Sequence, residues 1–178
     1  LRRSNESGFT LIELLAGMLL MFVMLGIGVF ALRQFWQTRS LRGAQDVVTS
    51  QLRQLQERSV SESHPLVYGA RFRVGSPTFG IVKFNPNSAS TTTDDTCVEM
   101  TKVTLESNVQ VTAASFTSAS GITSLCRTQI SGAGSDEFAF FYARGTATSG
   151  SITLVSPALA GRSRTVTVTP ITGRVDGS

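Results

Sequence analysis

FTLIELLAGMLLMFVMLGIGVFAL, residues 9–32, contains twenty-four residues and one ionisable side chain, Glu13. At 1.5 Å rise per residue a helix of that length runs roughly 36 Å, enough to cross a hydrocarbon core of ~30 Å with some tilt. The stretch therefore predicts one transmembrane helix over 9–32. A carboxylate inside it costs on the order of 2.5 kcal/mol or more at mid-bilayer, so Glu13 needs a partner, or a place near enough to the helix end to reach the interface. Gly17, Gly26 and Gly28 each weaken a helix in water by about 1 kcal/mol relative to alanine, but in lipid they let a neighbouring helix approach closely.

Beyond Leu32 the helical pattern continues and turns amphipathic. Phe35, Trp36, Leu41, Ala44, Val48, Leu52 and Leu55 recur at helical spacing, while Arg33, Arg39, Arg42, Asp46, Arg53, Glu57 and Arg58 take other positions. No proline interrupts from Phe9 to Ser63. One long helix follows, whose second part, 33–63, packs its apolar stripe on a soluble domain. Trp36 stands where an interfacial aromatic anchor is expected. At His64-Pro65 the pattern changes, because proline disfavours helical geometry in the residue before it.

The remainder, 64–178, reads as a β-rich head. Short runs of β character cover 66–74, 79–84, 97–105, 109–116, 137–143, 151–155 and 164–170, with clear alternation in Thr165-Val166-Thr167-Val168-Thr169. These predict half-buried strands of an antiparallel system joined by Gly, Ser, Pro and Asn turns. The fold class is α+β: a long N-terminal helix packed on an antiparallel β-sheet head, in one sheet or two. The segments 85–96 and 118–136 are polar and read as surface loops, anchored at most by Ile122, Leu125 and Ile130.

Charge and composition exclude more than they assign. The formal net charge is +4, and taking Arg2, Arg3 and Glu6 away from 16 basic and 12 acidic side chains leaves +3. That is too weak a surplus to argue for nucleic acid. Cys97 and Cys126 are the only cysteines. An even count in an exported domain suggests one disulfide, and two buried thiols are the alternative. The single histidine, His64, supplies neither a catalytic dyad nor a zinc site, and no nucleophile-elbow or phosphate-loop pattern occurs, so no enzymatic activity and no cofactor are expected. Asp94-Asp95 is too small a set for a Ca²⁺ loop, and both it and Asp136-Glu137 read as solvated turns with no metal. Gly161-Arg162-Ser163-Arg164 and Arg174, with Arg127 and Arg144 as further members, make a basic patch or simply solvated turns.

The text upstream of the apolar helix carries a resemblance. Arg2 and Arg3, a polar leader ending in Gly8, then Phe9-Thr10-Leu11-Ile12-Glu13 running into the helix, resemble the class III signal of type IV pilins and type II secretion pseudopilins. The resemblance implies that residues 1–8 are a leader, that a prepilin peptidase cuts after Gly8 and methylates the new terminus at Phe9, and that Glu13 pairs with the terminal amine of a neighbouring subunit. It also implies a single-pass inner-membrane protein with a periplasmic head, partnered by other pilin or pseudopilin subunits, an inner-membrane assembly platform and membrane lipid. Arginine counting does not choose this orientation, since Arg33, Arg39 and Arg42 follow the helix and only Arg2 and Arg3 precede it. Leu1 stands first, which implies an unusual start codon or residues upstream.

The head adds to the likeness. SLRGAQDVVTSQLRQLQERSVSES (40–63), FAFFYARGTATSGSITLV (138–155) and VTVTPITGRV (166–175) are similar to the GspH/FimT branch of minor pseudopilins and minor pilins. The branch implies a structural subunit of a secretion pseudopilus or a type IV pilus. Some FimT-like members use a Gly-Arg-x-Arg motif near the C-terminus for DNA uptake, which makes Arg162, Arg164 and Arg174 the alternative, DNA-binding site. Here Gly173-Arg174 continues as Val175-Asp176, without the second arginine.

Overall fold

A computed structural model of the chain describes residues 10–62, 65–86, 95–106, 109–119, 121–158, 162–170 and 172–178. Gly8, Phe9, His64, Asp94 and Gly161 lie outside the described residues. Helix α1 runs Leu11–Ser61, and the chain divides into two compact units, Leu1–Trp36 and Gln37–Ser178. In the first unit every large apolar side chain from Leu11 to Val29 is at least 52% exposed. That segment is long and apolar enough to cross a membrane.

The second unit is built around the later turns of α1. Leu41, Ala44, Val48, Leu52 and Leu55 are all buried, and their three- and four-residue steps put them on one stripe. Among the described residues eight strands follow: β1 (Val67–Phe72), β2 (Thr78–Asn85), β3 (Thr96–Thr104), β4 (Gln110–Phe116), β5 (Glu137–Phe141), β6 (Gly150–Val155), β7 (Ser163–Val168) and β8 (Val175–Gly177), with a short helix α2 (Ile122–Gln129) between β4 and β5. They form two four-stranded sheets, ordered β3-β2-β1-β5 and β4-β6-β7-β8. Every neighbouring pair is antiparallel. The α+β class with an antiparallel head therefore stands, and the number of sheets is two.

Strands β1, β2 and β5 of the first sheet are buried on both faces, unlike the half-buried strands expected, while the edge strand β3 is largely exposed. Tyr68, Ala70 and Phe72 of β1, Phe79 and Ile81 of β2, and Ala139 and Phe141 of β5 join the α1 stripe and the inner face of the second sheet in one core. The alternate residues Val67, Val82, Phe84, Phe138 and Phe140 form a second core with Cys97, Cys126, Ile130 and Ala133. Period-two alternation sends each strand's apolar residues to both sides. Gly69 permits the tight pairing of β1 with β5, because an added Cβ would lie 2.6 Å from the Ala139 carbonyl oxygen.

The second core overturns two expectations. Residues 118–136 are not a bare surface loop but contain α2, which buries Thr123 and Cys126. The helix escapes a periodicity reading because it has only eight residues and its most buried positions are a threonine and a cysteine. Asp136 is also not solvated: it is 1% exposed. Strand β8 was unforeseen for a different reason, since three residues carry no period.

Tyr68 closes the α1 side of the first sheet, its hydroxyl donating to a Glu62 carboxylate oxygen. Burial first, and then the hydrogen bond to and charge of Glu62, push its pKa up to about 12. A tyrosine whose folded pKa is raised contributes stability that is complete below the unfolded value of ~10 and is lost as pH rises through the folded one. Phenolate absorbance of the folded protein should therefore show one tyrosine titrating near pH 12, with stability falling between pH 10 and 12 more steeply than in Tyr68→Phe.

Candidate functional site

Three sets of polar residues stand out against the apolar framework. The first lies at the start of α1. The Glu13 amide donates to Thr10 Oγ1 at 3.3 Å, while the Thr10 amide and hydroxyl both donate to Glu13 Oε2 at 3.0 Å. This reciprocal pattern is a capping box, with Thr10 as N-cap and Glu13 three residues on, satisfying amides that the first turn otherwise leaves without partners. Glu13 thus has a local partner as well as the favourable end of the helix dipole. The Thr-x-x-Glu signature was legible in residues 10–13 and went unread beside the larger apolar signal.

The second set is an ion-pair network on the α2 side of the first sheet. Asp136 Oδ2 accepts from Arg71 Nε at 2.5 Å and its Oδ1 from Arg73 Nε at 3.1 Å. Arg71 Nη1 also donates to Glu99 Oε2 at 3.0 Å. The hydrogen bond to Asp136, followed by its charge, raises the Arg73 pKa above its ordinary value. The Glu99 carboxylate lies over Gly80, where an added Cβ would be 2.2 Å from Oε1. Next to it, Arg127 donates twice to the Asp136 carbonyl, at 3.1 and 3.0 Å, and pairs with Glu137 at 3.1 Å. Two of the acids and one of the arginines that read as surface features from sequence are thereby tied into the fold. Cys97 and Cys126 are bonded to each other beside this network, Cα atoms 5.1 Å apart, joining β3 to α2. No group of three or more metal-ligating side chains occurs among the described residues.

The third set runs along one flank of the head portion of α1. Arg162 Nη1 donates to Thr38 Oγ1 at 3.3 Å. Gln45 Nε2 donates to the Thr165 and Ser178 carbonyls at 3.4 and 3.2 Å, Arg53 Nη2 to the Val175 carbonyl at 3.1 Å, and Gln56 Nε2 to the Thr172 carbonyl at 2.8 Å. These polar side chains stitch the helix to β7, β8 and the turn between them. They also separate the arginines of the expected patch. Arg162 and Arg164 lie level with Thr38 to Gln45, whereas Arg174 lies near the Arg53 to Gln56 turns and pairs with Asp176 at 2.9 Å. Fifteen residues from Thr38 to Arg53 are about 22 Å of helix, so Arg162 and the segment carrying Arg174 meet α1 at well-separated turns. Gln45, Arg53 and Gln56 were not singled out from sequence, since nothing in their spacing distinguishes a flank glutamine from a solvated one.

A family profile described as the prokaryotic N-terminal methylation motif matches residues 3–29. The fold is similar to that of the minor pseudopilin EpsH from the Type 2 Secretion System of Vibrio cholerae, at 10% sequence identity and a TM-score of 0.53, covering 78% of this chain and 96% of that one. No curated protein matches the sequence. The match to the methylation motif is confined to residues 3–29, and the likeness to the pseudopilin is one of fold.

Proposed function

We propose that the protein is a minor pseudopilin or minor pilin: a structural subunit that is anchored by residues 9–32, presents the head formed by 64–178 outside the cytoplasm, and polymerises through its apolar helix with other subunits. The observation that carries this reading is the methylation motif at 3–29 opening directly into an exposed apolar helix. Among the described residues nothing covers that apolar surface, and lipid followed by the helices of neighbouring subunits is the environment that suits it. In this reading a prepilin peptidase cuts after Gly8, the amine of Phe9 is methylated, and an inner-membrane platform assembles the filament. Of the two machineries, the likeness in fold to a type II secretion pseudopilin favours a pseudopilus. The work is assembly, with no chemistry of its own.

Glu13 has two roles that substitution can separate. Glutamine retains an acceptor for the capping box but removes the charge, whereas alanine removes both. Both Glu13→Gln and Glu13→Ala should insert in the membrane normally and incorporate into filaments roughly tenfold less or worse, the ratio that about 1.4 kcal/mol of lost pairing produces. Incorporation is read by shearing filaments from cells and comparing the subunit in sheared and membrane fractions. Full incorporation of Glu13→Gln would remove the charge-pairing role and leave Glu13 as a cap.

A further inference from the structure

The ion pairs of the head are unevenly distributed. Arg71, Arg73, Arg127 and Arg174 each lie within 3.1 Å of a carboxylate oxygen. Among the described residues of the head, Arg39, Arg42, Arg53, Arg58, Arg144, Arg162 and Arg164 have no carboxylate at ion-pair distance, and four of these, Arg39, Arg42, Arg162 and Arg164, belong to one end of it. These four converge at the first turns of the head. Arg162 reaches Thr38, Arg42 is one turn past Thr38 on the same flank, and Arg39 occupies the outward side of that turn. Arg164 precedes Thr165, whose carbonyl accepts from Gln45. It also shares its strand parity with Val166 and Val168, which face the core under α1. Two acids share this end of the head: Asp46, one turn past Arg42, and Glu106, whose carboxylate lies over Gly43, where an added Cβ would be 2.5 Å from Oε1. The four guanidiniums keep a surplus of positive charge over them.

The sequence keeps this surplus close to the apolar segment: Arg39 is ten positions past Val29, a tether of at most roughly 35 Å even if fully extended. Phe35 and Trp36, 59% and 62% exposed, stand between the apolar segment and Arg39 and are the kind of rings found near a membrane interface. We propose that Arg39, Arg42, Arg162 and Arg164 form a docking surface for anionic phospholipid headgroups, which holds the head down on the membrane until polymerisation lifts the subunit out. This rests on the anchored-subunit reading above. Guanidiniums bind phosphate oxygens bidentately, and the attraction of a basic segment to an anionic leaflet falls off within a Debye length. A nucleic-acid surface is disfavoured because Arg174, which such a patch would need, is paired with Asp176 and sits in the segment that meets α1 at Arg53, about 22 Å along the helix from the Thr38 turn that Arg162 reaches. The cluster also accounts for Arg39 and Arg42 following the membrane helix against the usual charge bias, since their work is at the outer leaflet.

The test uses the full chain in nanodiscs of phosphatidylcholine alone or of phosphatidylcholine with phosphatidylglycerol. A dye on Ser163→Cys, quenched by headgroup-spin-labelled lipid, reports contact between the head and the membrane. We expect stronger quenching in the phosphatidylglycerol discs, reversal by high salt, and a roughly fivefold lower ratio of docked to undocked head for each Arg→Gln substitution. The fourfold Arg→Lys variant should keep most of the effect and so control for folding. Equal quenching in the two lipids with the chain co-eluting with discs overturns the lipid surface while leaving the anchored reading intact; failure to co-elute overturns both. If duplex DNA binds the chain in phosphatidylcholine discs through these arginines while quenching ignores phosphatidylglycerol, the surface belongs to nucleic acid and the proposal falls.

Discussion

Replacing Asp136 with alanine is expected to lower the unfolding free energy of the protein by about 3 kcal/mol or more. The carboxylate is 1% exposed and bridges Arg71 and Arg73 at 2.5 and 3.1 Å. Its removal leaves the Arg71 guanidinium, itself 8% exposed, with Glu99 as its remaining anionic partner. Breaking a buried pair from one side typically costs roughly 3–5 kcal/mol, because the surviving charge stays desolvated. Glu99 at 3.0 Å retains part of the compensation, which places the expected value at the lower end. Arg73, half-exposed, regains water and adds little. Pulse proteolysis of the full chain in detergent across a urea series gives the midpoint and slope. A loss below 1 kcal/mol would show that Glu99 alone suffices for Arg71. The Asp136→Ala, Arg71→Met double variant should recover much of the loss, since removing both charges is far cheaper than stranding one.

Replacing Cys97 and Cys126 together with alanine is expected to destabilise the protein by roughly 3–4 kcal/mol, the chain-entropy value for closing a loop of about thirty residues. The bond spans 29 positions and ties the edge strand β3 to α2, so the loss should concentrate in α2 and the second core. Hydrogen exchange at the amides of Ile122–Gln129 should accelerate before exchange in β6 or β7. Both sulfurs are buried, and a thiol reductant should open the bond in the folded protein only slowly. Equal stability of the double alanine variant and the native chain in the same urea series would mean that packing of α2 alone holds this layer.

Legibility followed the length over which a pattern repeats. Helix α1 was readable because 51 residues carry first an uninterrupted apolar run and then a stripe at three- and four-residue steps, each repeated many times. The long strands were readable by alternation, with β4, β6 and β7 falling within a residue or two of expectation. Helix α2 and β8 were not, being too short for a period to be told from chance. Asp136 shows a different limit. Beside Glu137 at a strand start it has the look of a solvated turn, and its burial arises because Arg71 projects from the middle of β1, sixty-five positions earlier. What Arg162 and Arg174 touch was out of reach for the same reason: Arg162 donates to Thr38 and Arg174 pairs with Asp176, contacts set by how the C-terminal segment lies along the head portion of α1.

By itself the sequence determined the N-terminal methylation motif, the apolar helix and the antiparallel head, because each is set by local composition and short-range period. Tertiary structure alone decided that the described strands form two sheets, that β1, β2 and β5 of the first are buried on both faces, that Asp136 is an internal counter-ion, and that Arg162 meets α1 at Thr38 while Arg174 pairs with Asp176. Those outcomes depend on which distant segments meet. Contact between distant segments is selected by the burial of several apolar faces at once, and no single stretch of the chain encodes it.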